Sequence, residues 1–258
     1  ALSQQISYRL GVDIGGTFTD VVLVGPSGEI MTRKVSSTED DYARGILTGI
    51  QDLLASVDHQ NINVSEIMHG TTVASNTILQ MAGARTGLIT TSGFRDVLEL
   101  RTLRMPRLYD LKWEKPPPLV ERYLRVEVNE RIDRDGNVEK SLEIADIQQA
   151  VEHLLAEGVE AIAVCLINSF TNPVHEYQIL DVIQDMAPNL PCCISYNVLP
   201  EIKEYERTST TVINAYLLPV IASYLDSLVA RLGAGGIQAP LLLMQSNGGL
   251  TTVEQTRS

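Results

Sequence analysis

A mixed α/β fold in two lobes is the architecture this sequence predicts, on three observations. Three β-rich runs near the start follow one another through tight turns. Beyond residue 140, amphipathic helical stretches alternate with short apolar runs, and Pro116-Pro117-Pro118 stands between the two regimes. Strands joined by tight turns pair antiparallel, whereas strands separated by helical stretches pair in parallel, so both kinds of pairing are expected in one chain.

Residues 9–12 and 20–24 are the first two runs, with a glycine-threonine turn between them. Pro26-Ser27-Gly28 makes a second turn and residues 30–35 a third strand, which gives an antiparallel meander. A helix is expected over 41–56, because Ile46, Leu47, Ile50, Leu53 and Leu54 share one face at helical spacing. A short strand then ends near Met68, His69-Gly70-Thr71-Thr72 opens a helix through Leu79, and residues 86–91 form another strand. Residues 101–118 are basic and proline-rich, a linker or a loop over a site. Past them, Ile144, Ile147, Val151, Leu154 and Leu155 mark a helix that Gly158 stops. Residues 159–167 are apolar almost throughout, as in a strand buried on both faces. Helix over 173–186 and strand over 192–196 follow. Residues 205–232 form a long helical pattern through Val212, Tyr216, Val220, Tyr224 and Leu228, with Pro219 expected to kink or interrupt it. Residues 233–236 end that helix and residues 241–244 begin a new strand. These signals divide the chain at 1–118, 119–200 and 201–258, and the last segment stops soon after its new strand, as a truncated fold does.

The 258 residues carry 32 acidic against 20 basic side chains, a formal charge of −12. That balance repels phosphate backbones and anionic membrane surfaces, so neither nucleic acid nor membrane is an expected partner. Cys165 lies in an apolar run, while Cys192 and Cys193 are adjacent and no Cys-x-x-Cys pair exists. The reading is a reducing cytoplasm, without a disulfide framework or a zinc site. Residues 1–9 lack the apolar core of a signal peptide, and no apolar run approaches the roughly 20 residues of a membrane span. Asn63-Val64-Ser65 matches a glycosylation sequon by chance.

The most informative stretch is Asp13-Ile14-Gly15-Gly16-Thr17-Phe18-Thr19-Asp20. Paired glycines let a backbone turn tightly and approach a ligand, and their N–H groups can converge on an anion. Thr17 and Thr19 offer hydroxyl donors, and Asp13 at a strand end suits a magnesium-bound water. An ordinary hairpin turn also favours double glycine; Asp-x-Gly-Gly-Thr between two apolar strands favours phosphate. The lysine-bearing P-loop and the Gly-x-Gly-x-x-Gly signature are both absent.

This stretch resembles the first phosphate motif of the actin, Hsp70 and sugar-kinase superfamily, and the wider sequence resembles the hydantoinase A and 5-oxoprolinase family. The matching segments are residues 13–20, His69-Gly70-Thr71-Thr72-Val73-Ala74-Ser75-Asn76, residues 87–97, residues 200–211 and Met244-Gln245-Ser246-Asn247-Gly248-Gly249, in the family's order. The resemblance implies an actin-like ATPase (ribonuclease H-like) N-terminal lobe beside a second α/β lobe. It also implies ATP and magnesium (Mg2+) as cofactors and an oligomer with a hydantoinase B-type subunit or domain. The family's second glycine-rich loop and adenosine region do not occur before Ser258.

The implied reaction is ATP-driven opening of a cyclic amide such as a hydantoin or 5-oxoproline. Gly15, Gly16, Thr17 and Thr19 would cradle phosphate and Asp13 would organise magnesium. Asp20 is a base or water-orienting group, or a carboxylate bonding its own turn. His69, Thr71 and Thr72 stand at a helix start that suits an oxyanion or simply caps itself. Arg207, Gln245 and Asn247 are further substrate-site candidates; His59, His153 and His175 have no supporting constellation. Three rival readings remain: an ATP-dependent ketone carboxylase subunit, a non-enzymatic actin-like or chaperone-like nucleotide module, and a small-molecule kinase.

Overall fold

The three early β-rich runs form the meander expected of them. β1 (Ile6–Ile14), β2 (Phe18–Val24) and β3 (Ile30–Ser36) pair antiparallel in sequence, with Val12 opposite Val21 and Val21 opposite Arg33. The structure is a computed structural model describing residues 6–37, 42–57, 62–102, 109–110 and 112–256. Side chains alternate along β2: Thr19, Val21 and Leu23 are buried and their neighbours are not. α1 (Tyr42–Ser56) covers that buried face with Ile46, Ile50 and Leu53. It lies so close that a Cβ on Gly49 would stand 2.8 Å from Val21 Cγ2. The expected helix start at Asp41 lies outside the described residues.

β4 (Ile62–Thr71) pairs in parallel with β1, and α2 (Val73–Leu79) follows at once. The strand does not end near Met68 as the sequence suggests. It continues through His69, Gly70 and Thr71 because neighbours flank it on both sides, and those neighbours are remote in sequence.

A second sheet begins with β5 (Thr86–Thr91), followed by α3 (Val97–Leu100), β6 (Arg125–Val128), a small hairpin of β7 (Arg131–Ile132) and β8 (Val138–Lys140), and α4 (Ile144–Ala156). β9 (Ala161–Cys165), α5 (Val174–Met186), β10 (Cys192–Ile194) and α6 (Ser195–Val198) complete it. The strand order is β10-β9-β5-β6 and every neighbouring pair is parallel. All residues of β5 and β9 are buried, which explains the unbroken apolar run of β9.

α7 (Glu204–Ala234) runs for 31 residues, and the helix continues through Pro219 rather than being interrupted there. β11 (Leu241–Met244), β12 (Leu250–Thr252) and α8 (Val253–Thr256) close the described chain. β11 joins β4 in parallel, so the first sheet has six strands in the order β12-β11-β4-β1-β2-β3. By length and composition α7 is apolar enough to cross a membrane, with a mean hydropathy of 1.5 over its best window, contrary to the expectation that no segment approaches that size. Counting unbroken apolar runs overlooks a helix whose apolar residues are interleaved with Thr, Ser and Asn. Val212 and Ala215 are buried in one core and Leu225, Leu228 and Leu232 in another, while 28% of that apolar window is buried.

Packing divides the chain elsewhere than at residues 118 and 200. One compact unit is Ala1–Gln80 with Val220–Ser258, and the other is Met81–Pro219. Val120, Leu124 and Val128 share a core with Leu88 and Ile89, so the triple proline does not separate two cores. The return of β11 to β4 draws the end of the chain back to the first unit.

Candidate functional site

In the first unit, β1, β4 and β11 are mutually parallel, and their carboxyl ends fall at the same edge of the sheet: Ile14 lies opposite Thr71, and Leu243 opposite His69. Ligands of open α/β sheets gather beyond such ends. The turns leaving them carry Gly15, Gly16 and Thr17, then Thr71 and Thr72, then Gln245 and Asn247, so the structure brings these sequence-predicted residues to one edge.

The hairpin is braced from below. Gly15 N–H donates to Phe18 O at 2.9 Å and closes the turn. Ser37, which no spacing rule singles out, donates its hydroxyl to Gly15 O at 2.8 Å and its N–H to Thr17 O at 2.9 Å. Its one hydroxyl proton being engaged, Ser37 Oγ accepts from Thr19 Oγ1 at 3.0 Å. Two expectations change. Thr19 is fully buried and braces the turn instead of facing a ligand, and the Gly15 N–H is already taken. The N–H groups of Gly16 and Thr17 have no partner among the described residues, and both residues are exposed. Neither glycine adopts a left-handed φ; space is what they supply. A Cβ on Gly15 would crowd Phe18 O at 3.2 Å, while one on Gly16 would meet only Asn76 Nδ2, at 3.9 Å.

Asp13 is exposed beside this turn, and its carboxylate carries no hydrogen bond or ion pair among the described residues. It faces Gly70, where a Cβ would come within 3.0 Å of Asp13 Oδ1, so the missing side chain of β4 leaves the carboxylate its place. On the other side Asp13 lies opposite Asp20, and Asp20 opposite Lys34. Like charges across strands repel, and a 3.2 Å ion pair with Lys34 relieves Asp20 but not Asp13. Among the described residues no cluster of three or more His, Cys, Asp or Glu could hold a metal. A lone free carboxylate still fits magnesium, which commonly keeps several waters and takes its other ligands from bound phosphates.

His69 does not stand at the helix start that the sequence suggested. It sits inside β4, buried, with Nδ1 3.3 Å from Val12 O and Nε2 2.5 Å from the Tyr224 hydroxyl. A carbonyl only accepts, so Nδ1 carries the proton and Nε2 accepts from Tyr224. Burial pulls its pKa down to about 4 against the opposing pull of the Val12 bond and the Asp13 charge. His69 is therefore a neutral strut behind Asp13, not a group facing substrate. Thr71 Oγ1 accepts from Val73 N–H at 3.1 Å and holds the first residue of α2, while Thr72 Oγ1 donates to Ile14 O at 3.0 Å and ties the start of α2 to β1. Gln245 and Asn247 are exposed in the β11–β12 turn, where Asn247 Oδ1 accepts from Gly249 N–H at 2.8 Å.

Arg207 belongs to the second unit and lines no open surface: it is completely buried, bonded to Ser169 and Ser195. His175 does have a constellation, a buried 2.7 Å contact with Glu130, which in turn accepts from the Thr91 hydroxyl. A strand, a connection and a helix distant in sequence assemble that cluster, so no spacing announces it. His153 Nε2 lies 3.2 Å from Tyr123 O, and His59 lies outside the described residues.

The profile of the hydantoinase/oxoprolinase N-terminal region matches residues 9–187, and that of hydantoinase/oxoprolinase matches residues 207–258. An uncharacterized protein of Methanocaldococcus jannaschii is 38% identical over 96% of this chain and 37% of its own length. Caprolactamase subunit alpha of Pseudomonas jessenii is 36% identical, over 94% of this chain and 36% of its own. The acetophenone carboxylase gamma subunit of Aromatoleum aromaticum is 32% identical, over 98% and 37%. The crystal structure of the ATP-dependent caprolactamase from Pseudomonas jessenii superposes with a TM-score of 0.85 at 36% identity, covering 94% of this chain and 36% of that one. The chain thus spans little more than a third of the length of these relatives.

Proposed function

The chain belongs to the hydantoinase/oxoprolinase family, and on that premise we propose that its first unit seats the polyphosphate of ATP in an enzyme that opens a cyclic amide. One observation carries this reading: the unpartnered N–H groups of Gly16 and Thr17 stand beside the unpartnered carboxylate of Asp13 at the carboxyl edge of a parallel sheet. The two amides and the Thr17 hydroxyl supply donors to phosphate oxygens. Ser37 and Thr19 hold the turn in shape, and Asp13 orients a magnesium-bound water. Magnesium, when bound with nucleotide, would neutralise phosphate charge. Asp20 is already engaged by Lys34, which leaves Asp13 as the better candidate for that role. The meander of β1, β2 and β3 with parallel β1, β4 and β11 supports an actin-like lobe.

The chemistry requires ATP for a reason. Amide resonance makes a lactam carbonyl a poor electrophile. Transfer of the γ-phosphoryl group to the amide oxygen releases ADP and gives a phosphorylated imidate. Water then adds to its carbon; loss of phosphate and cleavage of the ring C–N bond leave an amino acid. The caprolactamase likeness supports this reading. A second reading, phosphorylation of a ketone as its enol for carboxylation, draws on the acetophenone carboxylase gamma subunit. Both relatives are called subunits, and a hydantoinase B-type partner belongs to either proposal. Phosphate release from ATP by the full-length protein with its partner, measured with caprolactam, 5-oxoproline, hydantoin, acetone and acetophenone in turn, separates the two. Stimulation by the cyclic amides alone is expected; stimulation by a ketone only in the presence of bicarbonate would replace the first reading with the second.

A further inference from the structure

The second unit contains a charged group whose binding capacity is half used. Its parallel sheet, β10-β9-β5-β6, reverses direction of winding between β5 and β9: the chain passes from β5 to β6 on one side, then to β9 and β10 on the other. Such reversals mark ligand crevices at the carboxyl ends of strands. Just beyond those ends lie Ser169, in the turn after β9, and Ser195, the first residue after β10. Arg207, on the first turn of α7, donates Nη1 to both hydroxyls. Its guanidinium lies 5.5 Å from the centroid of the Phe170 ring.

The other edge of the guanidinium is unused. Nε and Nη2 are buried and have no hydrogen-bond partner among the described residues. These two nitrogens form the side-on fork that matches the two oxygens of a carboxylate. Arg122 uses the same pair here, with Nε 3.0 Å and Nη2 3.1 Å from the oxygens of Asp96. Arg207 has no ion-pair partner among the described residues. The neighbouring buried carboxylate, Glu176, is linked to it through Ser195 and Ser169, and its oxygens already accept from Leu166 N–H, Tyr196 N–H and the Ser195 hydroxyl. Burial also pushes the Glu176 pKa upward, which weakens its value as a counter-charge. A permanently charged guanidinium with 0% exposure and an empty fork is costly to maintain unless something fills it.

We propose that the Nε–Nη2 edge of Arg207 receives the carboxylate of a small organic molecule, bound beyond the carboxyl ends of β9 and β10. A planar monoanion fits a planar fork, and the Phe170 ring suits an organic body better than a dianion. Residues 203–206, immediately before Arg207 in the chain, wall a cavity of about 340 Å³ with Phe94 and Arg101, and on this assignment that body lies there although Arg207 itself does not line it. Phe170 is itself partly exposed, and its ring must turn aside for the guanidinium to be reached.

The probe is acetate, with acetamide as its neutral counterpart and inorganic phosphate as the competing anion, titrated into the purified protein by calorimetry and by ligand-induced shift of Tm. Saturable acetate binding, absence of acetamide binding, and at least a 10-fold loss of acetate affinity in Arg207→Lys are expected. Lysine keeps the charge but not the fork, so a merely structural Arg207 would lower Tm without this selectivity. Should Arg207→Lys fail to fold, a crystal of the wild-type protein grown with acetate decides: a carboxylate bonded to Nε and Nη2 supports the assignment, and an ordered water there overturns it. Equal binding of acetate and acetamide, phosphate binding that is tighter than that of acetate and is itself weakened in Arg207→Lys, or unchanged acetate affinity in Arg207→Lys would each overturn it as well.

Discussion

At the scale of single residues, Asp13 and His69 are neighbours with opposite tasks. His69 is neutral because burial outweighs the Val12 bond and the Asp13 charge, and its folded pKa of about 4 lies below the 6.5 of an unfolded histidine. The unfolded chain therefore binds the extra proton between those values. Stability contributed by His69 is fully present above pH 6.5 and is lost as pH falls towards 4, by an amount on the order of 3 kcal/mol at most. Thermal melts of wild type and His69→Gln across pH 4 to 7 check this: the wild-type Tm should fall more steeply with acid than that of the variant. Asp13 faces outward without a partner, so Asp13→Asn should leave Tm almost unchanged. On the proposed role it should lower ATP turnover by about 100-fold, the scale on which positioned charge acts in phosphoryl transfer. Phosphate-release assays and a melt on the same preparation separate loss of function from loss of fold.

At the scale of elements, close approach decides more than propensity. Gly49 lies inside α1, where alanine would ordinarily gain about 1 kcal/mol of helix stability. Its Cβ would stand only 2.8 Å from the branched, stiff Val21 side chain, and overpacking of that kind costs roughly 1–3 kcal/mol. Gly49→Ala should thus destabilise in urea, and Val21→Ala in the same chain should recover part of the loss; a stabilised single variant would refute the contact. The sequence made α1, α4, α5 and the apolar strands legible through their periodicity, and Asp-x-Gly-Gly-Thr located the hairpin. It did not reveal Ser37, Lys34 or Gly70, each of which meets the site across strands rather than along the chain. The end of β4 was misread for the same reason. Thr19 was chosen for its hydroxyl, but strand alternation points that hydroxyl inward, opposite Ile14. Arg207 stood out as an unusually polar start to an apolar helix; its burial depends on the turns after β9 and β10, which no local pattern specifies.

At the scale of the whole molecule, two hydrophobic cores with no residue in common sit on one chain. Ile50 and Leu228 belong to the first, Ile162 and Val212 to the second, and α7 contributes to both. Cooperative unfolding follows contiguous packing rather than chain order. Truncating a buried isoleucine costs about 2–5 kcal/mol, and changes without shared contacts add almost independently. The single tryptophan, Trp113, falls within Met81–Pro219 and reports on that unit alone, whereas far-ultraviolet dichroism reports on both. Ile162→Ala should therefore shift the Trp113 fluorescence transition in urea to lower denaturant. Ile50→Ala should shift the dichroism curve while leaving the fluorescence midpoint nearly in place. Because α7 supplies side chains to each core, the alternative is definite: if the helix couples them into one cooperative unit, both substitutions move both probes together and the two curves coincide.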